Sequence, residues 1–318
     1  MNWPVILDPV PAADSFTTPA TAPETARFEE PDKSPATRWN GMLLVLPGLI
    51  WGASYLFIAE GLEATSPAGV AFGRFAIGSI VLAAIPAARK PIDRNDRLRV
   101  ALLGVLWFAF PMMMFPIAEQ YVSTALTGML SAATPLFTAI VAAAMMGVVP
   151  SRRVVIALFV GTFGTVLIAV PSIGEGSNSL TGVLLILAAL LSYGFAINLA
   201  RPLQQRNGGP PVILRALVLA LVVTAPFGAI PAASGDWTLG PLLAMLALGG
   251  LGTGIANVMV ATAAGRGGAT RASSMAFIMP TVSLILGVAI RDERVALLSI
   301  LGGAVCVGGA WLLANARS

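Results

Sequence analysis

One arginine stands inside an otherwise apolar stretch of the sequence. Arg74 lies within G-V-A-F-G-R-F-A-I-G-S, residues 69–79, where its neighbours are almost all glycines and apolar side chains. A guanidinium in such a stretch either forms an ion pair that the fold requires or binds an anionic group of a ligand. For an ion pair the sequence offers Glu60, Glu63 and Glu119. The sequence leaves both roles of Arg74 open.

Polar and aromatic residues recur inside the apolar stretches and could line a binding cavity. Hydroxyl, amide and indole groups in such positions form hydrogen bonds either between helices or with a ligand. Methionine and phenylalanine add an adaptable apolar wall. The sequence-based candidates for a substrate-binding cavity are Trp51, Ser54, Tyr55, Arg74, Trp107, Met112, Phe115, Ser131, Thr134, Tyr193, Asn257, Ser274 and Phe277.

The side chains that catalysis needs are missing. The chain has no histidine, and its single cysteine, Cys306, has no base beside it. No carboxylate is expected deep within an apolar stretch, so acid–base, nucleophilic, metal and proton-relay chemistry all lack their groups. We therefore expect no enzyme, no metal site and no cofactor. Coupling to an ion would have to use acids at the helix ends or the charge of the substrate.

The elements that position these residues are predicted to be membrane-spanning helices. Hydrophobic residues make up 57% of the chain and charged residues only 11%, a composition that no water-soluble domain of this size shows. A spanning helix needs about 20 mostly apolar residues. The fold class is therefore all-α integral membrane, with ten transmembrane helices at roughly 42–60, 67–87, 98–118, 123–146, 153–170, 180–200, 211–230, 241–263, 270–290 and 295–314.

The basic residues predict the orientation of these helices. Sixteen of the nineteen lysines and arginines fall on the side of the N-terminus, whereas only Arg291 and Arg294 fall on the opposite side. Because cytoplasmic loops retain basic residues, both termini are expected in the cytoplasm. Residues 1–40 are rich in Pro, Ala and Thr, which predicts a disordered cytoplasmic tail. The high pI of about 9.8 reflects the same bias and does not indicate nucleic-acid binding.

The ten predicted spans divide into two halves of five, residues 41–171 and 180–315. Trp51 and Arg74 are separated by 23 positions, and Tyr193 and Arg215 by 22. Since five is odd, the second half must cross the bilayer upside down relative to the first, which is the inverted repeat of many secondary transporters. Such a repeat allows alternating access by modest rocking. The repeated arginine favours the structural use of Arg74.

Helix breakers within the spans are candidates for kinks or gates. Each proline frees a backbone carbonyl, which a membrane tolerates only where neighbours or water satisfy it. Packing adaptation alone is the alternative explanation. The run G-G-L-G-T-G at 249–254 lacks the lysine of a phosphate-binding loop and is attributed to close helix packing. The candidate gating or kink residues are Pro47, Pro111, Pro116, Pro135 and Pro280.

Five motifs, in order along the chain, carry a family resemblance. They are W-G-A-S at 51–54, G-R-F at 73–75, S-A-A-T-P-L-F at 131–137, A-S-S-M-A-F-I-M-P-T-V-S-L-I-L-G-V-A-I-R-D-E-R at 272–294 and L-G-G-A-V-C-V-G-G-A at 301–310. In these motifs and in its ten spans, the chain after residue 41 resembles the EamA-type members of the drug/metabolite transporter superfamily. One departure is G-V-V-P-S-R-R after the fourth span, where the family often has a Gly-Glu pair.

The resemblance implies a transporter that exports small metabolites, most of all amino acids or related compounds, across a bacterial inner membrane. With no nucleotide-binding motif in the sequence, transport is expected to be secondary or facilitative. A drug-like or nucleotide-sugar substrate is the runner-up. A non-transporting receptor or scaffold is the alternative from another class and would need no inverted repeat. The expected partners are a small-molecule substrate and the lipid bilayer, with no nucleic acid, and the protein is expected to be a monomer.

Overall fold

The structure is a computed structural model of the 318-residue chain and describes residues 35–147, 149–173, 177–260 and 275–316. Every regular element within these ranges is a helix. Eight of these helices are long and apolar enough to cross a membrane, and two further apolar helices are shorter. The all-helical membrane architecture predicted from composition is confirmed.

We number these helices in chain order. The first begins at Pro35, inside the region predicted as a tail, and residues 1–34 lie outside the described ranges. The two shorter apolar helices are α2 and α9. The bounds are α1 Pro35–Ala64, α2 Pro67–Ala83, α3 Arg94–Ala118, α4 Thr124–Met146, α5 Arg152–Ile173, α6 Ser177–Asn207, α7 Gly209–Ala233, α8 Leu239–Val260, α9 Met275–Arg291 and α10 Leu297–Ala316.

Local sequence explains where several helices begin and end. Ser66 precedes α2 and Ser123 precedes α4, and each side chain accepts a hydrogen bond from the backbone N–H three residues later. Pro67 occupies the first position of α2, where a missing N–H costs nothing. α4 ends at Gly147, whose φ of 61° is left-handed and suits a residue without a Cβ.

Three helices have irregular backbone, each near a proline or a run of glycines. α3 contains a π-helical segment, Gly104–Ala109, just before Pro111. α8 contains another, Ala247–Ile255, which includes the glycine-rich run. α4 is interrupted at residues 132–133, just before Pro135. Pro47, Pro116 and Pro280 instead lie within α-helical stretches of α1, α3 and α9.

The helices pack in a defined set of pairs. α5 packs along α10, α2 along α7, and α9 between α1 and α4. α6 packs against α3 and α4, while α8 packs against α1 and α2. Glycines allow the closest of these contacts: a methyl group added at Gly164 of α5 or Gly309 of α10 would collide with the backbone of the facing helix.

The buried apolar side chains form two clusters. The first contains Tyr55, Phe115 and Leu130, and the second contains Phe75 and Phe108. Side chains such as Phe159 and Ile230 are instead exposed on the outside of the bundle, as expected for a surface that faces lipid. The polar residues of interest lie between helices rather than on this outer surface.

The two ends of the bundle differ in charge. One end, here called the acidic end, is where α1, α3, α7 and α9 terminate. The opposite end is called the basic end; there Asp96 at the start of α3 binds Arg206 near the end of α6. The acidic end carries Glu60, Glu63, Glu119, Asp236 and Glu293.

Candidate functional site

Arg74 lies on α2 and is buried, with 4% of its surface exposed. Its Nε donates a hydrogen bond to Oγ1 of Thr253 on α8, at 3.1 Å. The Thr253 hydroxyl donates its own proton to the carbonyl of Leu248, at 3.0 Å, and so accepts from the guanidinium through a lone pair. This contact orients the Arg74 side chain without neutralising its charge.

The predicted ion pair between Arg74 and an acid of the helix ends is not formed. Glu60 and Glu63 instead bind the guanidinium of Arg291, with Nη1–O distances of 2.9 and 2.8 Å. They do so because α9 packs against α1 and the two helices end side by side. Within the described ranges no carboxylate lies within ion-pair distance of Arg74. A buried charge without a counter-charge is costly.

The repeated arginine, Arg215, has different surroundings from Arg74. Its Nη1 donates to the carbonyls of Ala88 and Pro211, at 3.2 and 3.1 Å, at the basic end of the bundle. Backbone carbonyls at a helix end are ordinary partners for an arginine. The similar spacing in the two halves therefore does not give the two arginines similar contacts, and it no longer favours a structural use for Arg74.

Glycines bring α8 close enough for Thr253 to reach Arg74. A Cβ built on Gly249 would lie 2.6 Å from the Cβ of Ile77 on α2. A Cβ built on Gly78 of α2 would lie 3.0 Å from Cγ2 of Thr253. The glycine run of α8 was attributed to packing alone, but it also sets the position of the residue that holds Arg74. A threonine inside this run was the sequence signal that was missed.

Four of the predicted cavity residues form one group, which we call the aromatic group: Tyr55, Phe115, Ser131 and Tyr193. The ring centroids of Tyr55 and Phe115 are 5.7 Å apart, and those of Phe115 and Tyr193 are 6.0 Å apart. The Tyr55 hydroxyl donates to Oγ of Ser131 at 2.6 Å. These residues come from α1, α3, α4 and α6. Tyr55 and Tyr193 lie within electrostatic range of Arg74, so we treat Arg74 and the aromatic group as one candidate region.

Three more predicted residues contact backbone carbonyls in or near this region. The indole Nε1 of Trp51 donates to the carbonyl of Gly252, at 2.9 Å, within the π segment of α8. The Asn257 amide donates to the carbonyl of Thr253, at 2.9 Å. Ser54 donates to a carbonyl of its own helix. The contacts observed for these residues are hydrogen bonds within or between helices. This was the alternative to substrate contact that the sequence left open.

The remaining predicted residues are divided between other places. Thr134 donates to the carbonyl of Ser131, at 2.7 Å, across the interruption of α4. Trp107 stacks on Phe108, and Met112 is buried; both lie in the second apolar cluster rather than in the aromatic group. Ser274 and the side chain of Phe277 lie outside the described residues.

Glu119 is one of the acids that the sequence placed at a helix end, and the structure buries its carboxylate. It follows α3 directly at the acidic end, and both of its carboxylate oxygens are buried although the residue as a whole is partly exposed. Neither oxygen has a hydrogen-bond partner within the described part of the chain. The acid is covered because the chain between α9 and α10, including Arg294 and Val295, lies beside it. Hydropathy along the sequence cannot show such a cover.

Glu293 has a structural role that the sequence did not reveal. Its two carboxylate oxygens accept hydrogen bonds from the backbone N–H groups of Thr124 and Ala125, at 2.8 and 2.7 Å. These groups are at the N-terminus of α4, where a negative charge is stabilised by the helix dipole. Glu293 therefore fastens the α9–α10 connection to the start of α4.

The sequence of the whole chain identifies its family. The model of the EamA-like transporter family matches residues 38–170 and, a second time, residues 180–315. The two matches together cover most of the chain, so the protein belongs to this family. Its members are membrane transporters rather than enzymes, and the resemblance predicted from the motifs is confirmed.

Individual relatives agree with this assignment. A protein of Streptantibioticus cattleyicolor named "Probable terminal-alkyne amino-acid exporter" is 25% identical over 276 residues, which cover 85% of this chain and 91% of that protein. The inner membrane transporter YedA of Escherichia coli K12 is 26% identical over 272 residues, covering 81% and 85%. One crystal structure, 19% identical, matches with a TM-score of 0.60 over 87% of this chain and 96% of that one. The chain therefore shares its fold with a solved structure, and its family and its apolar helices identify it as a multi-pass membrane protein.

Proposed function

We propose that this protein is a secondary or facilitative transporter that exports amino acids or related small metabolites across the bacterial inner membrane. The observation that carries the proposal is the buried guanidinium of Arg74, which has no carboxylate partner among the described residues and lies within electrostatic range of Tyr55 and Tyr193. The carboxylate of a substrate supplies the missing counter-charge through charge-assisted hydrogen bonds. The rings of Tyr55, Phe115 and Tyr193 offer the apolar part of the substrate a surface.

The proposed architecture has ten spans in two inverted repeats, residues 41–171 and 180–315. The family model matches once in each half, which supports this division. The packing supports it as well. Exchanging the two halves replaces each helix by the helix five places away in the chain. The pair α1–α9 then becomes α6–α4, the pair α1–α8 becomes α6–α3, and the pair α2–α8 becomes α7–α3. All six of these pairs are in contact in the structure. The pairs α2–α7, α4–α9 and α5–α10 map onto themselves.

The same exchange relates the two π segments, since α3 and α8 are counterparts. A Cβ on Gly104 of α3 would lie 2.6 Å from the carbonyl oxygen of Ala216 on α7, and one on Gly249 of α8 would lie 3.1 Å from that of Arg74 on α2. Irregular helical segments packed on a neighbouring helix are suitable hinges. We assign α3 and α8, with the interruption of α4 at Pro135, to the motion that alternates access.

We place both termini in the cytoplasm, because the basic end carries most of the lysines and arginines. The acidic end then faces the outside of the cell. Export, rather than uptake, is supported by the name of the Streptantibioticus relative.

The test is a flux assay with purified protein in liposomes. A panel of radiolabelled amino acids and related metabolites is screened for counterflow, with protein-free liposomes as the control. We expect counterflow of at least one compound, and we expect its methyl ester, which lacks the carboxylate, to compete far more weakly. Folded wild-type protein that moves no compound of the panel would contradict the proposed function. An ester that competes as well as the acid would contradict the role given to Arg74.

A further inference from the structure

Glu119 is a buried acid whose role the proposed function leaves unexplained. Both of its carboxylate oxygens are shielded from solvent and lack a hydrogen-bond partner within the described ranges. Nearly all buried polar atoms in proteins find a partner, so such a group needs a reason. An ionised carboxylate in this position would lack both hydration and an ion-pair partner. Burying a protonated, neutral carboxyl costs less free energy.

The charged groups near Glu119 do not neutralise it. Arg291, at the end of α9, is bound to Glu60 and Glu63. Glu293, on the connection that follows, uses both oxygens to hold the start of α4. These interactions bind the neighbouring charges of the acidic end to groups other than Glu119.

Two further arginines and two tyrosines complete the surroundings. Arg74 of α2 acts on Glu119 through its charge but is hydrogen-bonded to α8. Arg294 and Tyr121 line the same pocket as Glu119, and neither arginine lies within ion-pair distance of it in the described structure. The Tyr55 hydroxyl of α1 lies within electrostatic range of Glu119.

Burial raises the pKa of the Glu119 carboxyl well above its usual range, and the negative charge of Glu293 raises it further, against the opposing effect of Arg291 and Arg74. The group therefore releases its proton at a higher pH than a carboxyl in water does.

The pocket beside Glu119 connects this acid with the acidic end. It has a volume of about 300 Å³ and is also lined by Ser123, Arg294 and Ser299. A polar pocket of this size holds several water molecules, through which a proton can reach the carboxyl. In the other direction, Phe115 lies one turn earlier on α3 and belongs to the aromatic group. Glu119 thus stands between the pocket and the candidate substrate site.

We propose that Glu119 is the proton-binding site that couples transport to the pH gradient across the membrane. This inference rests on the proposed function, because coupling needs a transported substrate. The carboxylate takes up one proton from the side to which it is open and releases the same proton to the other side after the conformational change. No other bond forms or breaks. Protonation removes the charge that would oppose the burial of these two oxygens, so it favours this packing of the acidic end.

The first experiment needs no substrate, because its ligand is the proton. Infrared difference spectra of the purified protein in liposomes are recorded during a pH titration. We expect a protonated-carboxyl band that persists to higher pH than that of ordinary carboxylic acids, and we expect Glu119→Gln to abolish it. Asp236→Asn, which removes an exposed acid from the same end, should leave the band in place. A band that survives in Glu119→Gln would overturn the assignment.

The second experiment separates coupling from transport. In Glu119→Gln liposomes, counterflow of a radiolabelled amino-acid mixture should continue, while accumulation driven by an imposed pH gradient should fall to the equilibrium level. Asp236→Asn should accumulate like the wild type. Gradient-driven accumulation that persists in Glu119→Gln would contradict the coupling role, and so would the loss of counterflow in folded Glu119→Gln, since the acid would then serve the substrate path itself. If wild-type protein shows no counterflow, the proposed function fails, and the infrared titration still decides whether Glu119 binds the proton.

Discussion

Arg74 and Glu119 are two buried ionisable groups, and neither is ion-paired within the described structure. In its charged form each is unfavourable for folding, because taking a charge out of water costs free energy that no partner returns. The two do not bind each other. We interpret both as functional groups, one for a carboxylate of the substrate and one for a proton, whose cost the rest of the bundle offsets.

Replacing Arg74 tests the first of these roles. We expect Arg74→Met to weaken substrate binding by about 2–5 kcal/mol, the range for truncating one partner of a buried charge pair. The melting temperature should stay the same or rise, because the variant removes a buried charge that no carboxylate neutralises. Binding of the panel compound with the fastest counterflow and thermal unfolding are measured on one preparation.

Arg215→Met is the matched control for this variant. Its guanidinium binds backbone carbonyls at the basic end, so substrate affinity should not change. If Arg74→Met instead unfolded at a markedly lower temperature and its folded fraction bound the substrate normally, Arg74 would be a structural residue.

At the scale of the elements, two contacts between distant segments build the site. α8 approaches α2 through glycines and thereby places Thr253 at Arg74. The connection between α9 and α10 reaches the start of α4 through Glu293 and borders the pocket beside Glu119. Each contact can be changed by one substitution, and the chain provides a neighbouring residue as its control.

Gly249→Ala should disturb the contact between α2 and α8. The added methyl group would lie 2.6 Å from the Cβ of Ile77, so the helices must separate or shift. We expect a destabilisation of about 1–3 kcal/mol, typical of overpacking, and weaker substrate binding because Thr253 moves away from Arg74. The melting temperature and the counterflow half-saturation concentration provide the two measurements.

Gly250→Ala adds the same methyl group one residue later, where the nearest atom is 3.8 Å away. This variant should behave like the wild type or be slightly more stable, since alanine favours a helix. Equal effects of the two substitutions would show that helix propensity, not close packing, matters in this run.

Glu293→Gln should weaken the attachment of the α9–α10 connection to α4. The amide has one acceptor oxygen and no charge, so it loses part of the two hydrogen bonds and the interaction with the helix dipole. We expect the free energy of unfolding to fall by about 1–3 kcal/mol, the size of hydrogen bonds to charged groups. Thermal unfolding in detergent measures the change.

The adjacent acid serves as the control for Glu293. Asp292 is exposed and has a φ of 50°, a left-handed conformation that asparagine also tolerates. Asp292→Asn should therefore unfold at the wild-type temperature. Should it destabilise the protein as much as Glu293→Gln does, the net charge of the connection would matter rather than the contacts with α4.

At the scale of the whole molecule, the arrangement of helix pairs is nearly unchanged when the two halves are exchanged. In the inverted repeat that we propose, two similar halves in opposite orientations give an inward-open and an outward-open state of similar energy. The distribution of charge breaks this symmetry, because basic residues gather at one end and most loop carboxylates at the other. We therefore expect the charge distribution to set the orientation of the bundle in the membrane.

Cysteine labelling tests that orientation. In a Cys306→Ala background, which removes the single native thiol, Arg153→Cys should be shielded from an impermeant external reagent in intact cells and Asp236→Cys should react. Both should react after the membrane is permeabilised, which shows that each thiol is accessible. The opposite pattern in intact cells would reverse the orientation and with it the direction proposed for transport.

The membrane class, the helical architecture and the family of this protein could all be predicted from the sequence. These properties depend on local composition, on the caps at residues such as Ser66 and Ser123, and on the order of short motifs. The grouping of Tyr55, Phe115, Ser131 and Tyr193 was anticipated only as part of a longer set of candidates, because hydropathy shows which residues lie within spans but not which spans touch.

The tertiary structure alone decided the partners of the charges. Arg291 binds Glu60, 231 positions away, and so leaves Arg74 without the acid that the sequence offered it. Glu119 lies one residue beyond an apolar span and would be solvated if the segment after α9 did not cover it. Whether an ion pair forms, or a carboxylate is dry, depends on distances of a few ångströms between helix ends, and these distances are set by packing between parts of the chain that are remote in sequence.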